Sequence, residues 1–78
     1  MTLVCTCVWD HAAQFFYPPV TSRSRGEAMR SFLDACRKDE HLFSRHAKDF
    51  VLFHVADFDD ATGQFLTVGP KAVPLLTA

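Results

Sequence analysis

Glycine is scarce in this chain, with three residues in 78. The scarcity excludes chemistries that need a glycine-lined loop: there is neither a phosphate-cradling loop nor a nucleophile elbow. Paired histidines beside a tyrosine, the equipment of a DNA-nicking enzyme, are also missing. Cysteine occurs only as Cys5, Cys7 and Cys36. An odd number, with two members on one strand face where bridging geometry is rare, argues against a disulfide scaffold and for reduced thiols in a cytoplasmic protein. The start lacks the basic residues and apolar stretch of a secretory signal. No apolar run approaches the roughly 20 residues that cross a bilayer, since Gln14 and Pro18-Pro19 interrupt the longest uncharged stretch, His11 to Ser22. Charge of one sign is lacking as well. Eight Lys+Arg against nine Asp+Glu give a net −1, which excludes a disordered basic arm.

What is present is an ordinary globular balance, 49% hydrophobic and 22% charged. This length admits one domain and excludes a multidomain enzyme. A domain of this size buries only about 60–65% of the surface its unfolded chain exposes, so a partner is expected to complete it.

Thr2 to Trp9 alternates Leu3, Cys5, Cys7 and Trp9 with Thr2, Val4, Thr6 and Val8, the period of a strand. Phe15-Phe16-Tyr17 favours a short second strand that Pro18-Pro19 confine to an edge. Ser24-Arg25-Gly26-Glu27 has the form of a capping box, and Ala28, Met29, Phe32, Leu33, Ala35 and Cys36 then recur at helical spacing. Asp39 to Asp49 is irregular and polar, a connecting loop with one helical turn around Phe43 to His46. Phe50 to Phe58 is apolar on both faces apart from His54 and Asp57, as a central strand would be. Asp59 to Gly63 supplies turn residues, and Gln64 to Val68 returns as the last strand. The expected fold is therefore α+β in two layers, one amphipathic helix on a small, mainly antiparallel sheet in the order β-β-α-β-β. Residues 1–69 form the domain and residues 70–78 an extended tail, whose Val73, Leu75 and Leu76 suit docking onto the sheet or a second subunit. One helix covers only one sheet face, so the other is expected to meet a second copy of the chain.

Charge is unevenly placed. Arg23, Arg25, Arg30, Arg37, Lys38, Arg45 and Lys48 outweigh the four acids of the same stretch and leave it at +3, while the remainder stands at −4. Such a segment suits a phosphate backbone, and the exposed rings that bases stack on would come from Trp9, Phe15, Phe16 and Tyr17. Tyr17, with a polar tip beside two prolines, is the ring expected to face solvent. The plainer reading is a solvated helix face with pairs such as Arg30–Asp34, and aromatic residues that belong to the core. Cys36, His41 and His46 echo half of a zinc knuckle but lack the second cysteine pair, so no metal is expected. Asp57, Asp59 and Asp60 fit turn chemistry better than catalysis, and His54 reads as a satisfied interior histidine. Neither catalytic residues nor a cofactor are expected.

Pro18-Pro19, Gly26-Glu27-Ala28 with Arg30 and Phe32, Asp34-Ala35-Cys36, Asp49-Phe50 with Leu52, and Phe58-Asp59-Asp60 with Thr62-Gly63 together follow a known pattern. In these residues the chain resembles a small nonstructural protein of gokushoviruses, microviruses with circular single-stranded DNA genomes that include phages of Chlamydia. The likeness runs from the first strand to Gly63. Ala56 departs from it where glycine is expected. The resemblance implies a DNA-binding protein of the host cytoplasm, acting as replication shifts from double-stranded copies to single-stranded genomes for packaging. It carries over no established functional residues, and of the seven bases only Arg30 lies inside the pattern. Expectation is thus a homodimeric, membrane-free binder of single-stranded DNA without sequence preference, using Arg23, Arg25, Arg30, Arg37, Lys38, Arg45 and Lys48 for phosphates and Tyr17 and Phe16 for bases. The alternative is a protein-binding module that engages a host or phage replication or packaging protein and never touches DNA.

Overall fold

The computed structural model describes residues 1–37 and 47–77. Its elements are β1 (Thr2–Asp10), β2 (Phe15–Phe16), β3 (Val20–Ser22), α1 (Arg25–Cys36), a 3₁₀ turn (Ala47–Asp49), β4 (Phe50–Asp59), β5 (Gln64–Thr67) and β6 (Val73–Thr77). The fold is α+β as expected, one helix on a curled antiparallel sheet, but with six strands rather than four.

Both added strands come from segments with prolines. After Pro18-Pro19 the chain resumes as β3, which lies against β1 beyond β2. The prolines sit between two edge strands, where no ladder donor is required. The tail docks as β6, antiparallel to β4 with Leu52 opposite Leu76. Expected turn residues act as read: Gly63 takes φ 75° and its amide donates to the Asp59 carbonyl at 2.7 Å. The Ala61 amide donates to the Asp59 carboxylate, and that bond holds the carboxyl below its ordinary range.

At the sheet centre β1 and β4 pair along their whole length, from Thr2 opposite Asp59 to Asp10 opposite Phe50. The register shifts between Cys5 and Thr6, because Cys5 faces Ala56 whereas Thr6 faces His54, leaving Val55 as a bulge. Thr6, Val8 and Asp10 therefore share the helix side with His54, Leu52 and Phe50. Leu3, Cys5, Cys7 and Trp9 share the opposite side with Phe58, Ala56, Phe53 and Val51.

Helix α1 begins where the capping residues place it. The Glu27 amide donates to the Ser24 hydroxyl at 3.1 Å, and the Glu27 carboxylate accepts from the Arg23 amide rather than from Ser24. The helix lowers Ala28 and Phe32 onto Phe50 and Leu52, all nearly inaccessible, with Val8, Tyr17, Met29, Leu75 and Leu76 around them.

Two glycines separate backbone from packing effects. Gly63→Ala should lower unfolding free energy by about 1 kcal/mol, since a side chain there meets open space but strains φ. Gly26→Ala, inside α1 with only Ser24 Oγ at 3.8 Å, should raise it by roughly 0.5 kcal/mol. Urea denaturation of the two variants checks both signs.

Candidate nucleic-acid interface

Arg23, Arg25, Arg30 and Arg37 are all exposed, on α1 or at its ends, and Lys48 is exposed in the 3₁₀ turn. Lys38 and Arg45 lie outside the described residues, as do His41, His46 and the helical turn expected around Phe43 to His46. Arg30 and Arg37, seven apart, occupy the outward face of α1, opposite the buried Ala28 and Phe32. Among the described residues the Met1 amine pairs with Asp60 and His54 reaches Asp57, and Arg30 and Asp34 do not pair. The cations on the helix are left available to an outside anion.

Arg25 is the exception in being tied down. Its Nε–H donates to His54 Nδ1 at 2.9 Å, and His54 Nε2 lies 2.7 Å from Asp57 Oδ1. A guanidinium cannot accept, so Nδ1 carries the lone pair and Nε2–H donates to Asp57. His54 is 5% exposed with both ring nitrogens satisfied, as an interior histidine must be. The bulge at Val55 makes this possible, because residues three apart in an unbroken strand would face opposite ways.

The aromatic residues divide between the two sides. Tyr17, expected to face solvent, is half-buried. Its ring packs edge-on against Phe50 with centroids 6.0 Å apart, and burial, aided by the Asp10 carboxylate, pushes its phenol pKa up. Phe15 is the exposed ring on this side, 47% accessible and stacked at a tilt on Tyr17. Phe15 and Phe50 both pair with Asp10, so Phe15 and Lys48 stand at the same end of the sheet. Phe16 is exposed but belongs to the other face, 4.7 Å from Trp9 and 5.6 Å from Phe53 between centroids. Phe58 and Phe65 continue this uncovered aromatic surface at 5.2 Å. The structure thus brings the helix arginines together on one side and separates them from Phe16.

Sequence reasoning had Phe15 among the candidate rings but selected Tyr17 and Phe16, and it missed the His54–Asp57 support of Arg25. Position two residues before Tyr17, on the same strand face, was the signal for the first; the second needs the bulge, which no residue pattern announces. Among the described residues no set of histidine, cysteine and acidic side chains is grouped for a metal ion, and no helix is long and apolar enough to cross a membrane.

A family model described as "Phage ORF5 protein" matches residues 3–77. No curated protein and no solved structure matches the chain.

Two measurements follow from the side-chain geometry. Nitrogen-15 spectra of the imidazoles should show His54 protonated at Nε2 and bare at Nδ1, and Arg25→Ala should loosen that assignment. Burial raises the thiol pKa of Cys5, Cys7 and Cys36, so an alkylating reagent at neutral pH should modify all three slowly in the folded chain and rapidly in denaturant. Fast labelling of Cys5 in the native protein would contradict the sheet described above.

Proposed function

The chain belongs to the phage ORF5 protein family, and we propose that it is a non-enzymatic binder of single-stranded DNA that works as a homodimer. One observation carries this reading: among the described residues the surface is divided into a helix side whose Arg23, Arg30 and Arg37 side chains meet no carboxylate and an opposite sheet face of exposed and half-exposed rings. A phosphate backbone needs the first and a second copy of the chain needs the second. In this reading the DNA lies along the outward side of α1, where Arg23, Arg30 and Arg37 hold phosphates, with Lys48 and Phe15 beyond its end. Such contacts read charge and stacking rather than base edges, and so confer no sequence preference. The gokushovirus likeness supports a role at the turn from double-stranded replication to single-stranded genome synthesis and packaging, in the host cytoplasm, with no cofactor.

The uncovered rings also favour a second reading, in which that face captures a phage or host replication protein and DNA is not contacted. Phe16 and Phe65 are 45% and 67% exposed, enough for either occupant.

Titration of a labelled oligothymidine distinguishes the two. Four phosphate contacts predict affinity falling roughly fifty-fold between 50 and 200 mM salt. Replacing Arg23, Arg30, Arg37 and Lys48 together by glutamate should abolish binding while sedimentation still reports a dimer. Absence of binding by the unaltered chain at low salt overturns the DNA reading. A monomer at micromolar concentration overturns the pairing.

A further inference from the structure

Helix α1 does not lie flush on the sheet. Ala28, Ser31 and Ala35, small residues on its side towards β3, leave a cavity of about 400 Å³ beneath the Tyr17-Pro18-Pro19 segment. Its floor is apolar, formed by Val8, Phe32 and Leu52. The cavity is open on one side, where Pro18, Pro19, Val20 and Ser31 are exposed, and its volume lies in the range of small-molecule sites.

A second observation marks it as a place for a ligand. Ser22 lines the cavity and is more than nine-tenths buried, at 7% exposure. Its hydroxyl has no partner among the described residues, although no side-chain polar atom sealed inside them lacks one. The hydroxyl is therefore accessible rather than sealed, and in the cavity wall it can hydrogen-bond to an occupant with a polar edge.

We propose that this cavity receives a nucleobase of bound single-stranded DNA. The inference rests on the DNA-binding reading and adds to it the place where a base goes. A base is flat and apolar on its faces and polar at its rim. The Tyr17 ring and the two pyrrolidines of Pro18 and Pro19 offer flat walls, while Ser22 inside and Ser31 at the exposed margin offer polar contacts. A hydroxyl both donates and accepts, so it can meet the edge of any base, in keeping with binding that lacks sequence preference. Charge complements this fit. The helix that carries Ser31 presents Arg30 and Arg37 outward, unpaired with any described carboxylate, so a strand whose base enters the cavity has cations near its phosphates. An apolar peptide side chain would suit the floor but leave Ser22 unsatisfied.

The test compares oligothymidine with an abasic sugar-phosphate oligomer of the same length at low salt. The unaltered chain should bind the base-bearing strand about tenfold more tightly, the size of one stacked base. Ser31→Trp, which closes the mouth from an exposed position, should remove that preference while leaving abasic affinity unchanged. Ala35→Leu, filling the cavity from the next turn, should do the same, and circular dichroism confirms that each variant folds. Equal binding of both oligomers by the unaltered chain overturns the cavity proposal while leaving phosphate binding intact. A preference that survives both substitutions places the base elsewhere and also overturns it. Failure of both oligomers to bind removes the DNA reading itself.

Discussion

The pairing of β1 with β4, and the one-residue bulge within it at Val55, is the constraint on which both surfaces depend. Strict alternation through β4 would put His54 and Asp57 on opposite faces and separate Phe53 from Phe58. The extra residue resets the phase. His54 and Asp57 then meet on the helix side, and Phe53 and Phe58 both turn to the uncovered side. Because β1 has no matching insertion, its own alternation stays intact and each of its faces remains consistently paired.

A single twelve-residue helix can complete only one of these faces. Phe32 and Ala28 reach Phe50 and Leu52, and the Arg25–His54 hydrogen bond fixes the helix's first turn to the sheet beside that contact. The bond joins residues 29 apart in sequence and is only partly exposed. Leu75 and Leu76 fill the margin that α1 leaves, which explains why the tail is a strand rather than a loose end. On the far side none of the described elements performs this role for Trp9, Phe16, Phe53, Phe58 and Phe65.

Much of this was legible in the residues. The period-two pattern of β1, the Ser24 cap, the apolar run of β4 and the Asp59–Gly63 turn each state a local preference that the fold obeys. Three features were not legible, for a common physical reason: each depends on contacts between distant segments. β3 follows two prolines and has only three residues, so its pairing with Val4, Cys5 and Thr6 comes from tertiary position rather than propensity. The bulge has no glycine or other marker. Tyr17 has the composition of an exposed ring, yet Phe50 lies within reach once β2 closes on β1. Of the candidate site, the clustering of arginines was legible as charge along the sequence. Their separation from Phe16 was not, because adjacent residues of an edge strand face opposite ways.

The near-neutral charge of the chain does not weaken a polyanion-binding reading once distance is considered. The molecule extends 39 Å along its longest axis. Asp59 and Asp60 lie at the β4–β5 turn, whereas α1 packs on Phe50 and Leu52 towards the other end of β4. Exposed charges in physiological salt are screened over about 8 Å. Several such lengths fit along the axis, so a phosphate beside Arg30 and Arg37 responds to the local excess of cations, and the acids at the turn are largely invisible to it. Glu27 and Asp34 share the helix with these arginines and moderate that excess, while Asp57 on β4 has its carboxylate already engaged by His54. Its effect on Arg25 is transmitted through the imidazole, which holds the guanidinium by a hydrogen bond at Nε while the residue as a whole stays exposed.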